Sequence, residues 1–241
     1  MYNDVIERNK FLQDNNIPIY YQPVDYGSLP SRVVNEDQDW LLINKTYSKD
    51  KVVIIDNFLN PKYVEELRKY VLITSIREDF YSDYAALNFY RNPGKLWFKI
   101  LSNIVDESKV YLSILHNLTF ERAWSFIYNN QSEGVKIHAD TATINLNLWV
   151  TADESIDTSI DTNGLSIWRI ERPNDWCERD YNANLKKSVD FINKNGIVPI
   201  NIPYKCNRAI IFNSAYFHQS LPVNVKPGYQ NRRINYTFLF S

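Results

Sequence analysis

Between Glu121 and Phe240 the chain runs through seven short segments that are either apolar or strictly alternating. They are Glu121–Tyr128, Val135–His138, Thr143–Val150, Leu165–Ile170, Ile197–Ile202, Arg208–Phe212 and Arg233–Phe240. Turn residues separate them, as at Asn129-Asn130-Gln131, Asp161-Thr162-Asn163-Gly164 and Lys226-Pro227-Gly228. Strands this short bury their apolar faces only by pairing into sheets that close on one another, so the pattern predicts a sandwich or barrel core. Residues 172–195 break the series. This stretch is polar, holds Pro173, Trp176 and Cys177, and predicts a helix over Leu185 to Ile192. An insertion of this kind is expected to lie over a site as a lid.

The N-terminal side reads differently. Residues 1–50 show no sustained period and are expected to form an arm packed on the body, with a short helix near residues 2 to 14 and a turn at Gly27-Ser28-Leu29-Pro30. Val52-Val53-Ile54-Ile55 is a buried strand by its β-branched run. Asn60-Pro61 then reads as an N-cap followed by proline at the first helical position. Val64, Leu67 and Val71 recur at helical spacing, with Glu65 and Glu66 early and Arg68 and Lys69 late, as the helix dipole favours. A second helix is expected from Lys95 to Val105, on a stripe of Leu96, Ile100, Leu101 and Ile104. One body over 51–241, with its β core over about 120–241, accommodates all of this.

The balance of 27 Lys and Arg against 28 Asp and Glu, a net charge of -1, argues against a protein that grips nucleic acid backbone. No apolar run is long enough to span a membrane, and the polar N-terminus lacks a signal peptide's apolar stretch. Cys177 and Cys206 are too few for a disulfide framework and read as free thiols. A reducing, cytoplasmic setting is therefore expected. Only three histidines are present, His116, His138 and His218, so any histidine site must come from these.

His138-Ala139-Asp140 puts an imidazole and a carboxylate two residues apart, on one side of an extended chain. With His218 they make two His and one carboxylate, the facial triad of non-haem Fe(II) enzymes. That set leaves three metal positions for a chelating co-substrate and dioxygen. A keto-acid co-substrate with a distal carboxylate would need a buried cation. On the last strand Ile234, Tyr236, Phe238 and Phe240 form one face, and Arg233, Asn235 and Thr237 the other. The polar face reads as cavity lining, which turns Arg233 inward and leaves Arg232, the alternative, on the packing face. Asn235 and Thr237 are placed to assist. Arg122, Trp124, Phe126 and Tyr128 share a face of another strand, with Tyr128 placed to donate to the same carboxylate. Asn147, on the polar face of Thr143–Val150 with Asn145, is a further candidate for the co-substrate or substrate.

At these residues the sequence resembles the 2-oxoglutarate- and Fe(II)-dependent oxygenases, particularly their prolyl 4-hydroxylase-like branch. The pieces are FIYNNQSEGVKIHAD, NGLSIW, AIIFNSAYFHQSLPV and RRINYTFLF, with VVIIDNFLNPKYVEELRKYV resembling the branch's N-terminal support. The resemblance covers about the C-terminal half. It implies a double-stranded β-helix (jelly roll), that is, a mainly β fold with supporting helices (α+β) buttressed from the N-terminal side. It also implies Fe(II) held by His138, Asp140 and His218, 2-oxoglutarate anchored by Arg233 with Tyr128 as a contact, and use of O2. The loop VKPGYQN makes the spacing from His218 to Arg233 longer than is usual in the family, and the family's paired glycine appears as Asn163-Gly164. The family's halogenases replace the aspartate with a small residue; Asp140 is retained, which favours hydroxylation. A small-molecule or peptide substrate is expected: a peptidyl proline, an amino acid or another metabolite. A jelly-roll binding module that holds metal without turnover, a cupin-like metalloenzyme and a nucleobase-modifying oxygenase are the competing readings. His116 is expected to be structural or at the surface. Trp168, Trp176 and Tyr181 are weighed as a substrate rim against ordinary packing.

Overall fold

The computed structural model describes residues 2–18, 25–74, 79–89, 96–157 and 163–241. In chain order it contains α1 (Tyr2–Asp14), α2 (Trp40–Asp50), β1 (Val52–Ile55), α3 (Pro61–Ile73), β2 (Asp79–Phe80), β3 (Tyr84–Asn88) and α4 (Leu96–Tyr111). Next come β4 (Phe120–Tyr128), β5 (Gln131–Ser132), β6 (Ile144–Trp149), β7 (Leu165–Glu171), α5 (Glu178–Asn182) and α6 (Leu185–Lys194). The chain closes with β8 (Ile200–Ile202), β9 (Ala209–Asn213), β10 (Tyr216–Ser220), β11 (Val223–Asn224) and β12 (Ile234–Phe240). A seven-stranded sheet in the order β1-β9-β6-β12-β4-β3-β2 faces a three-stranded sheet, β10-β7-β8, and β11 pairs with β5 at one side. All these pairings are antiparallel. The result is a jelly roll with helices against the outer face of its large sheet. Among the described residues no helix is long and apolar enough to cross a membrane.

The alternation in β12 explains how the layers stack. Ile234, Tyr236, Phe238 and Phe240 turn outward and pack with Val64, Leu67 and Val71 of α3 and Ile100 and Ile104 of α4. Tyr236 keeps its hydroxyl satisfied there by donating to Leu67 O at 2.9 Å. The opposite face looks into the space between the sheets. In that space Val52, Trp149, Ile210, Phe212, Leu165, Ile167 and Ile202 make an apolar cluster. Along β12 the lining is polar instead, beside an aromatic stretch of β4, and that side holds the candidate site.

Several local expectations change in the structure. Asn60 stands at the N-cap of α3, but its side chain donates to Arg32 O at 2.7 Å and makes no cap bond. The helix runs on to Ile73, so Arg68 and Lys69 fall mid-helix, and the expected pairing of charge with the dipole is not made. The apolar stripe holds this helix in place. The second helix extends to Tyr111, six residues past the expected end, and Lys95 lies outside the described residues, as do Asp161 and Thr162. Val135–His138 is not a strand; it bridges β10 at His138, and Val135 O accepts from Ser220 N at 3.0 Å. Gly134 takes φ 69°, and Ala139 N donates to Tyr181 O at 3.1 Å, which draws the chain toward the insertion before a ladder can extend. Strand β10, which carries His218, was not anticipated. The insertion packs on the outer side of the small sheet, where Trp168, Tyr181, Ile192 and Phe217 form their own cluster with Trp176 and Phe191. Those aromatics fasten α5 and α6 down, which is the packing alternative.

Two sites of close fit carry testable consequences. A Cβ on Gly164, at the start of β7, would collide with the Ile202 carbonyl of the paired strand β8. Gly164→Ala is expected to destabilise the protein by about 1–3 kcal/mol through this overpacking, seen as a lowered Tm. Asp56, just after β1, accepts from Arg208 Nε at 2.6 Å and Lys205 Nζ at 2.8 Å. The Arg208 hydrogen bond is the main reason its carboxyl falls from 3.8 to about 2. A depressed carboxylate stabilises the fold above its unfolded value and stops doing so as the pH falls through the folded one. Asp56→Asn is therefore expected to lower stability at pH 6, by under about 1 kcal/mol because the pair is solvent-screened. In denaturation curves at decreasing pH the gap should close between 3.8 and about 2.

Candidate metal centre and adjoining cavity

The triad is assembled by backbone pairing. His138 N donates to His218 O at 3.0 Å and His218 N donates to His138 O at 2.8 Å. This reciprocal bridge ties the loop to β10 and brings the two rings to 4.3 Å between centroids. Asp140 N donates to Ser214 O at 3.0 Å, on the same side of the chain, whereas Ala139 N goes the other way to Tyr181. The two-residue period expected of an extended segment thus holds, although no strand forms. The ligand atoms of His138, Asp140 and His218 lie within 4.8 Å of one another, close enough for one ion to touch all three.

The electrostatics of the donors suit a cation. Each imidazole Nδ1 faces a carbonyl, Lys136 O at 2.7 Å for His138 and Tyr216 O at 3.0 Å for His218. A carbonyl only accepts, so both Nδ1 atoms carry the proton and both Nε2 lone pairs are free to bind metal. Burial, with His138 close by, pushes His218 down to about 4, which keeps it neutral and ready to ligate. His218 Nε2 lies 3.6 Å from Asp140 Oδ2. Asn145 Nδ2 donates to that same oxygen at 2.7 Å and fixes the carboxylate's orientation. This Asn145 contact is a supporting role that sequence reasoning missed; its signal was the alternation that puts Asn145 on the face with Asn147.

Deeper between the sheets sits Arg233, 1% exposed. Its Nε donates to Asn163 O at 2.8 Å and its guanidinium leans toward Asn235 Oδ1 at 3.4 Å. Three rings surround it: Tyr128 at 4.9 Å, Trp149 at 5.6 Å and Tyr204 at 5.8 Å. Sequence reading had not singled out Trp149 or Tyr204 in this role. Among the described residues no carboxylate pairs with Arg233. Arg232 points the other way, over the Tyr229 ring, and donates to Glu7 Oε2 of α1 at 2.8 Å. Parity along the strand thus separates the two neighbours, and only Arg233 faces the interior. Tyr128 is fully buried, which pushes its phenol above the ordinary range, and its hydroxyl lies 3.3 Å from Ser220 Oγ. Asn147 Nδ2 donates to Thr237 Oγ1 at 3.0 Å, as does Asn235 Nδ2 at 3.4 Å. Asn147 Oδ1 and Trp149 Nε1 are buried with no hydrogen-bond partner. A buried cation beside an unpaired donor is costly, and the oxygens of a bound anion would accept from both Arg233 and Trp149 Nε1, whereas Asn147 Oδ1, itself an acceptor, calls for a donor.

A cavity of about 770 Å³ opens beside the triad and touches His138 and Asp140. Its walls come from β3, β4 and the loop before His138, and Asn182, Ala183 and Leu185 of the insertion complete the mouth. His116 is exposed and takes no part.

A buried cation that lacks an acid partner adds little to the empty fold. Arg233→Met, close in size, is expected to leave the Tm of the ligand-free protein unchanged or raised. A fall of more than about 4 °C would show that the arginine serves the fold itself.

No family model and no curated protein matches the chain by sequence. Solved structures match it by shape. A Pseudomonas putida prolyl-4-hydroxylase superposes with TM-score 0.54 at 12% identity, over 83% of this chain and 97% of that one. An oxidoreductase of the 2OG-Fe(II) oxygenase family from Burkholderia pseudomallei gives 0.54 at 9% identity, over 88% and 95%. The non-heme α-ketoglutarate-dependent epimerase SnoN from nogalamycin biosynthesis gives 0.59 at 10% identity, over 83% and 82%. The chain has the jelly-roll fold of these oxygenase structures.

Proposed function

We propose that this protein is an Fe(II)- and 2-oxoglutarate-dependent dioxygenase that hydroxylates an unactivated C–H bond of a peptidyl proline, an amino acid or a small metabolite. The observation that carries the reading is the pairing of two sites within one jelly roll. One is a His138–Asp140–His218 cluster whose ligand atoms lie within 4.8 Å. The other is a buried arginine that, among the described residues, has no acid partner in the same interior. The likeness in fold to a prolyl-4-hydroxylase and to an α-ketoglutarate-dependent epimerase supports it.

Each residue has a definable task. His138 and His218 offer Nε2, and Asp140 offers a carboxylate oxygen steadied by Asn145. Arg233 matches the distal carboxylate of 2-oxoglutarate, with the Tyr128 hydroxyl beside it as a donor. Asn147 and Asn235 line the space between anchor and metal ligands. Bound Fe(II) with 2-oxoglutarate supplies the oxidising power: O2 gives one oxygen atom to the substrate C–H and the other to succinate, with loss of CO2. Burial of Tyr128, Trp149 and Arg233 keeps bulk water from the co-substrate end.

The test is an anaerobic titration with Fe(II) and 2-oxoglutarate, following the visible charge-transfer band of the chelate. The band is expected in the wild type, absent in His138→Ala, and weakened at least about ten-fold in apparent affinity in Arg233→Met. No band in folded wild-type protein would sink the oxygenase reading. A band unaffected by Arg233→Met would remove the anchor role from that residue.

A further inference from the structure

The oxygenase reading leaves the substrate open, and the chemistry of the cavity wall narrows it. Arg122 and Trp124 stand two apart on β4, and both line the cavity that touches His138 and Asp140. The Arg122 guanidinium lies 5.5 Å over the Trp124 ring. Arg122 Nε and Trp124 Nε1 are both buried and have no hydrogen-bond partner. The acids nearby are engaged elsewhere. Asp83 accepts from Ser132 Oγ at 2.6 Å and Glu133 N at 2.9 Å, Asp79 accepts from Asn88 at 2.8 Å, and Glu133 pairs with Lys136 at 3.2 Å. Guanidinium and indole N–H groups only donate, so a ligand group bound by these two cavity-lining side chains must be an acceptor, and a planar anion suits the guanidinium best.

The wall beyond them is aromatic. Phe126 meets Tyr84 edge-on at 4.9 Å, and Tyr84 stacks on Tyr81 at 4.3 Å toward the mouth. These rings offer a face to a flat apolar body. The acids of the same cavity, Asp79, Asp83 and Glu133, oppose a polyanion such as a nucleic acid backbone.

We infer that Arg122 and Trp124 bind the carboxylate of a small organic acid whose flat apolar body lies along Phe126, Tyr84 and Tyr81. The inference rests on the oxygenase reading, because this acid is then the molecule hydroxylated. Arg233 holds the co-substrate's carboxylate and Arg122 the substrate's, so two anions lie on two sides of the metal ligands.

The probes are matched pairs of acid and primary amide: phenylacetate and phenylacetamide, benzoate and benzamide, indole-3-acetate and indole-3-acetamide. They are titrated into protein loaded with Ni(II), which does not turn over, and 2-oxoglutarate, so that the Arg233 end is filled. Binding is read by tryptophan fluorescence and by ligand-observed NMR. At least one acid is expected to bind about ten-fold or more tighter than its amide, and Arg122→Gln is expected to abolish that preference. Trp124→Phe, which keeps a ring and removes the N–H, should reduce it. If Arg122→Gln does not fold, Arg122→Lys takes its place; it keeps the charge without the planar fork and should lose most of the preference. If no acid outbinds its amide, or the preference survives in the Arg122 variants, the inference is overturned. Failure to load Ni(II) and 2-oxoglutarate counts against the oxygenase reading instead. The acid–amide comparison is then made on metal-free Arg233→Met protein, with and without the Arg122 change, and still decides the role of Arg122.

Discussion

Two backbone hydrogen bonds between His138 and His218 set the geometry on which the rest of the site depends. Ser220 N, which donates to Val135 O at 3.0 Å, adds a third tie between the ligand loop and β10, short of a ladder. Without the His138–His218 bonds, His138 would lose its direct tie to the second imidazole, with Ala139 and Asp140 still held to Tyr181 and Ser214. With them, the spacing of the imidazoles is fixed by main-chain geometry, and side-chain rotamers need only choose direction. The carbonyls of Lys136 and Tyr216 make that choice by taking the Nδ1 protons. The carboxylate is then oriented separately, from β6, through Asn145.

The arrangement divides the large sheet by chemistry. Its outer face is sealed by α3 and α4 with aliphatic and aromatic side chains, and this is where burial stabilises the fold. Its inner face can therefore carry Asn145, Asn147, Asn235, Thr237 and Arg233, residues that contribute little to a core. Arg233 is cushioned by Tyr128, Trp149 and Tyr204 in place of an acid. Aromatic faces attract a guanidinium without neutralising it, so the positive charge stays available to a carboxylate that enters later.

Much of this was legible in the sequence because period-2 alternation survives wherever both faces of a strand have distinct tasks. The contrast of Ile234, Tyr236, Phe238 and Phe240 with Arg233, Asn235 and Thr237 revealed both the packing face and the cavity face. The His-x-Asp spacing and the inward arginine were readable for the same reason. Other parts were not. Tyr216–Ser220 is short and mixed, and its strand exists because it pairs with β7, a partner distant in sequence. Residues 135–138 looked like a strand by composition but are pulled out of register by Gly134 and by the contact to Tyr181. Trp168, Trp176 and Tyr181 gave no local sign that they fasten an insertion, because that role depends on Phe217 and Ile192 meeting them. Tyr204 sits in a loop, and nothing in its neighbourhood marks it as a wall of the arginine's box.

Two adjacent arginines with opposite assignments also say something about error. A slip of β12 by one residue would leave the chain's charge and composition untouched and would still present a guanidinium to the interior, while every apolar side chain of the strand moved to the wrong side. The ion pair from Arg232 to Glu7, together with the bond from Tyr236 to Leu67, distinguishes the two phases, and both partners lie in helices far upstream. The first helix of the chain thus adds a check on the alignment of the last strand, favouring along with the apolar face the one in which Arg233 looks inward.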